Sequence, residues 1–195
     1  MTQLHHTRRH FLRGLKSIPF LTGLALLGAC QANDPQSSFF ADLRDLCGGT
    51  YNGRVISDQA VDADWINASL TLGPVTCADD RIRMPLAVGE DTSRTWVITQ
   101  TKDGLMFRHE HVEPDGTPSP VTQYGGLASG SGTPQSQAFP ADEQTKANFS
   151  ENGIARSNTN IWTLTLENEQ LQYALARPAT DTDPARDFRA VFDLR

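Results

Sequence analysis

Apolar residues recur at every second position in one short segment after another, from residue 51 to the end of the chain. A period of two restricts such a chain to strands that bury one face. Ile82, Met84, Leu86 and Val88 alternate with Arg81, Arg83, Pro85 and Ala87. Trp162, Leu164 and Leu166 share one face, Leu171, Tyr173 and Leu175 another, and Phe188, Ala190, Phe192 and Leu194 a further one. Residues 51–56 and the set Ile66, Ala68, Leu70 and Leu72 follow the same rule. RTWVITQT and GLMFRHEHV meet at Lys102, Asp103 and Gly104, a hairpin signal, and ENEQ turns the chain again near 168. VTQYG and QSQAF are weaker strands around the loop GGLASGSGTP. Pro85 argues for an edge or a bulge in its strand.

These patterns predict about eight to ten strands with no βαβ spacing. The expected fold is mainly β: an antiparallel barrel, lipocalin-like in its one-sided alternation, or alternatively a β-sandwich. SFFADLRDLCGG predicts a short N-terminal helix capped by Ser38 and ended by Gly48, and ADEQTKANFSENG predicts a helix near 141–152.

The first 29 residues have a different character. They hold no acid, carry Arg8, Arg9, Arg13 and Lys16, and continue into the apolar run IPFLTGLALLGA. That run is shorter than the ~20 residues of a membrane-spanning helix and has the form of a secretory signal. TRRHFLRGL, with Arg8, Arg9, Phe11 and Leu12 in register, resembles the bacterial twin-arginine export signal. Leu27-Gly28-Ala29-Cys30 resembles the lipobox of bacterial lipoproteins, cleaved before a cysteine that then carries lipid. The resemblance implies a signal peptide over 1–29, a lipidated tether over 30–37 and a single β-rich domain over 38–195. It implies export to the cell envelope, anchorage through fatty acyl groups such as palmitate on Cys30, and a periplasmic face. Gln31, where an inner-membrane retention signal has Asp, favours the outer membrane.

Removing that leader takes four of the 17 basic residues and none of the 23 acids, leaving a formal charge of −10. An acidic domain is a poor partner for nucleic acid, whose affinity rests on phosphate neutralisation. Cys47 and Cys77 remain as an even pair in an oxidising compartment, which reads as a disulfide. Their spacing matches no zinc pattern.

The block IRMPLAVGEDTSRTWVIT, with RHEH and QYGG, resembles a family of uncharacterised exported bacterial proteins. The resemblance covers most of the domain and implies no catalytic residues. The residues themselves offer few candidates. His109 and His111 are the only histidines after the leader, and on a strand they point to one face, about 7 Å apart. They read as surface or titrating residues, as the polar lining of a ligand pocket, or as two ligands of a divalent metal that still needs a carboxylate such as Glu113 or Asp115. Tyr124 belongs with the pocket reading. Glu90, Asp91 and Arg94 fall in an expected loop, either a turn with an Asp–Arg bridge or an Asx turn, or a binding loop at the barrel mouth. Trp96 and Trp162 read as core.

No nucleophile elbow, zinc-protease, haem or dinucleotide motif is present in the sequence. An enzyme is the weaker expectation, although serines and carboxylates suffice for a triad assembled through space. The first functional expectation is therefore a lipid-anchored module that binds a small apolar or amphipathic ligand. The alternatives are a metal-dependent enzyme using His109 and His111, and a structural or assembly lipoprotein of the envelope.

Overall fold

The computed structural model describes residues 34–195 together with the first two residues of the chain. Arg8, Arg9, Phe11, Leu12 and Cys30 lie outside the described residues. The alternating segments become strands β1 (Tyr51–Val55), β2 (Leu70–Leu72), β3 (Thr76–Cys77), β4 (Arg81–Val88), β5 (Asp91–Thr101) and β6 (Gly104–His111). They continue as β7 (Tyr124–Leu127), β8 (Ser136–Pro140), β9 (Ile161–Glu167), β10 (Gln170–Arg177) and β11 (Arg186–Asp193). Ten of them form one antiparallel sheet in the order β7-β6-β5-β4-β2-β1-β11-β10-β9-β8, nearly closed into a barrel, with the two-residue β3 added to β4. The barrel, not the sandwich, is the fold.

The edge strands β7 and β8 meet without a full ladder. Ser129 N–H donates to Ala138 O at 2.8 Å, and Asp142 N–H donates to Gly125 O at 3.0 Å. Gly126 permits this approach, since a Cβ there would lie 2.0 Å from the Pro140 carbonyl oxygen. Helix α3 (Glu143–Glu151), capped by Asp142, lies over the seam. Its buried Thr145 Oγ1 accepts from Gly125 N–H and donates to Gly125 O, both at 2.8 Å. A free edge that would otherwise offer unpaired backbone groups is covered in this way.

One mouth of the barrel is plugged. Helix α1 (Pro35–Arg44) buries Phe39, Phe40 and Leu43. Its Gln36 accepts from Leu105 N–H at 2.8 Å and donates to Gly130 O at 2.7 Å. The Cys47–Cys77 disulfide ties the segment after α1 to β3, and Gly48 N–H and Val75 N–H donate to Val75 O and Gly49 O on either side. Inward residues of β4, β5, β6, β9 and β11, among them Ile82, Ile98, Phe107, Trp162 and Phe192, fill most of the interior. Burying each such side chain contributes about 1.5–3 kcal/mol.

Four local expectations are corrected. Helix α1 begins at Pro35 and its cap is Asp34, which accepts from Ser37 N–H at 3.0 Å, because a proline at the first helical position is already set for the helix. The tether expected to run to residue 37 thus gives way to helix after Asp34. Ile66 and Ala68 do not extend β2. A short helix α2 (Ala63–Ile66) forms instead, where the Trp65 ring packs edge-on against Phe188 at 5.3 Å between centroids. Arg94 lies within β5, opposite His111, since the turn tightens to two residues and Val88 pairs with Asp91. The edge or bulge expected at Pro85 is present: the proline faces the break between β2 and β3, where Gly73 N–H donates to its carbonyl at 2.7 Å, and a bulge follows at Leu86 to Val88.

No helix among the described residues is long and apolar enough to cross a membrane.

Candidate ligand pocket at the unplugged mouth

The end of the barrel opposite α1 is not filled. Strands β5, β6, β7, β10 and β11 and helix α2 border a cavity of about 170 Å³ there. Its floor is two aromatic stacks. Trp96 lies parallel to Tyr173, 4.4 Å between centroids and 9° between planes, and His109 lies parallel to Tyr124 at 4.5 Å and 10°. Trp65 and Phe188 complete the aromatic wall.

His109 joins the stacks. Its Nδ1 lies 3.2 Å from the Tyr124 carbonyl oxygen, which can only accept, so Nδ1 carries the proton. Nε2 is then an acceptor and takes a hydrogen bond from the Tyr173 hydroxyl at 3.1 Å. Burial drives the imidazole down to about pKa 3, against the stabilising pull of the Tyr124 carbonyl, and so keeps it neutral. Burial also raises the Tyr173 phenol well above its ordinary value and pushes Tyr124 up to about 12.

His111 lies one pleat further out, with Nε2 3.2 Å from the Tyr124 hydroxyl. Burial first, and then the Arg94 cation, hold its pKa down to about 4. Arg94 pairs with Asp91 and stacks its guanidinium 5.1 Å from the Trp65 ring centre. Across the mouth Arg186 pairs with both oxygens of buried Asp62 and lies 5.5 Å from the Phe188 ring centre. The charges of the rim are therefore matched, while the floor offers neutral rings with directed polar atoms.

Searches for a matching family model, a similar curated protein or a similar solved structure find none. What the pocket does must be read from its own chemistry.

Of the residues singled out in the sequence, His109, His111, Tyr124 and Arg94 converge on this cavity. Glu90 and Asp91 border a separate surface depression with Val112 and Glu113, although Asp91 reaches the pocket indirectly through Arg94. The Asx turn expected there is present, with Ser93 N–H donating to Asp91 at 2.9 Å, and these hydrogen bonds hold the Asp91 carboxyl far below its usual range. Asp62, Trp65, Tyr173 and Arg186 complete the pocket and were not legible as site residues. Tyr173 reads as one more inward residue of its strand, and Asp62 and Arg186 lie 124 residues apart.

The donor set does not favour a metal. Both ring nitrogens of His109 are engaged within the protein. Among the described residues no three His, Cys, Asp or Glu side chains gather to hold an ion. Nor is the pocket poised for proton transfer at neutral pH, which works best with groups that titrate near the working pH. Both histidines titrate well below that point and both tyrosines above it.

Proposed function

We propose that this chain is an exported, lipid-anchored envelope protein whose barrel binds one small amphipathic ligand at its unplugged mouth. The observation that carries the reading is the aromatic-walled cavity above the neutral His109–Tyr173 pair. Its size sets the ligand's size. An apolar protein cavity of ~150 Å³ holds one benzene, and this one measures about 170 Å³. The occupant is thus about one ring, or an equally small branched chain. Its apolar body lies against Trp65, Trp96, Tyr124 and Phe188, and its polar end meets Arg94 and His111 at the rim. Neutral, preorganised groups that neither gain nor lose a proton near pH 7 suit binding better than turnover.

Calorimetric titration with benzoate and with benzyl alcohol tests the pocket. At least one probe is expected to bind saturably, and Leu175→Phe, which enlarges a residue on the cavity wall, is expected to weaken it at least tenfold. Binding that Leu175→Phe leaves intact, or no saturable binding of either probe at millimolar concentration, would refute the pocket reading. The anchor rests on the residues before Asp34 and is tested separately. Labelled palmitate is expected to enter the wild-type protein in a bacterial host and not Cys30→Ser, and equal labelling of the two would reject it.

A further inference from the structure

Strands β10 and β11 place Arg177 directly opposite Arg186. Like charges in that relation repel and cost stability, and the two stand together in a chain whose formal charge is −6. Arg186 is compensated by Asp62. Arg177 makes no ion pair among the described residues, and its Nε is buried without a hydrogen-bond partner. Arg156, from a 3₁₀ turn over Ala155–Thr159, borders the same space and has Asp183 at 3.8 Å. Between these groups lies a cavity of about 260 Å³, next to the aromatic pocket and sharing Leu175 and Arg186 with it.

Asn160 also borders this cavity and is only 6% exposed. Its backbone is fully used, donating to Ser157 O at 3.1 Å and accepting from Ala141 N–H at 3.0 Å. Its side-chain Oδ1 has no partner. A buried polar group without a partner costs about 1–3 kcal/mol, and Asn160 Oδ1 and Arg177 Nε are two such atoms on residues that border one cavity.

We propose that Arg156, Arg177 and Asn160, beside the Asp62-paired Arg186, form a second binding site, for a small oxyanion of the phosphate class. Guanidinium groups match the geometry of phosphate oxygens and can donate to two of them at once. The anion separates the two facing cations and supplies the charge that the Arg177–Arg186 pair lacks. Asn160 completes the set: its oxygen accepts from a P–OH, or, after a half-turn of the amide, its NH₂ donates to P–O⁻. Asp62 and Asp183 are the carboxylates that face the cavity arginines. Each is engaged with its own arginine, and Arg177 is left for the ligand.

The test is calorimetric titration of the protein with inorganic phosphate and with methyl phosphate, at ionic strength held constant with sodium chloride. Saturable binding is expected, weakened at least tenfold in Arg177→Gln. Tighter binding of inorganic phosphate assigns the site to the free anion, and tighter binding of methyl phosphate to a phosphomonoester. In the wild-type protein, phosphate is expected to shift the NMR signals of Arg177 Nε–H and the Asn160 side-chain amide. No saturable binding of either probe, unchanged affinity in Arg177→Gln, or unmoved Arg177 and Asn160 signals would each overturn the proposal. The NMR measurement needs no variant, so it decides the matter even if Arg177→Gln fails to fold.

Discussion

His109 and Tyr173 come from strands six places apart along the sheet, and their Nε2 and hydroxyl meet 3.1 Å apart inside the barrel. With Nδ1 held by the Tyr124 carbonyl, this contact fixes both the tautomer and the orientation of a buried neutral imidazole. The polar pair is the support on which the floor of the pocket rests, and it can be measured.

Tyr173→Phe removes the hydroxyl and leaves His109 Nε2 buried without a donor. A loss of about 1–3 kcal/mol is expected in chemical denaturation. A double-mutant cycle with His109→Phe isolates the pair, because Phe at both positions removes the Nε2 acceptor and the hydroxyl donor together, while the loss of the Nδ1 bond to the Tyr124 carbonyl is common to both His109 variants. The double variant is expected to be more stable than the sum of the single losses implies. Strict additivity would show that the two residues do not interact.

Stability should fall with pH before the carboxylates titrate. The unfolded chain protonates His109 near 6.5, whereas the folded imidazole resists until about 3. The unfolded state therefore binds more protons over that window, so the stabilisation is complete above pH 6.5 and is lost as pH drops. The limiting slope for this one group is about 1.4 kcal/mol per pH unit. Denaturation curves at pH 7, about 6 and about 5 should show the decline in the wild type and a shallower one in His109→Gln. Equal slopes in the two proteins would refute the assignment.

The disulfide pins the segment after the plugging helix to the wall. It closes a loop with a separation of 30 residues, for which the chain-entropy relation gives about 3–4 kcal/mol. Replacing Cys47 and Cys77 together by serine should cost about that much, and it should loosen α1 more than the pocket. Hydrogen exchange that rises at Phe39 to Leu43 but not at Tyr124 or Tyr173 is the expected pattern, and uniform acceleration would count against it.

The seam between β7 and β8 depends on Thr145. Thr145→Val keeps the shape and removes both hydrogen bonds to Gly125. A loss of about 1–3 kcal/mol is expected, with faster amide exchange at Gly125 and Asp142. Exchange rates equal to the wild type would show that the seam closes without it.

Much of this architecture is legible in the sequence because strand periodicity is a local property. The alternation of Ile82, Met84 and Leu86 or of Leu171 and Tyr173 marks inward positions wherever the strand ends up. The ENEQ turn is equally local, with Asn168 and Glu169 at φ 52° and 58° joining adjacent strands. The exception at Ile66 is also instructive: alternation was present there, but packing of Trp65 on Phe188 favoured a helical turn.

By itself, then, the sequence determined that the chain is antiparallel β, which faces point inward, which two cysteines pair, and that His109 and His111 share a face. The tertiary structure decided which mouth is plugged, that the Tyr173 hydroxyl meets His109, and that Arg177 faces Arg186 at a cavity bordered by Asn160, whose buried Oδ1 has no partner. The reason is physical. Periodicity fixes the direction of a side chain from its nearest neighbours, but its partner depends on the register of strands brought together across 64 residues for His109 and Tyr173 and 124 for Asp62 and Arg186. That register exists only once the barrel has closed.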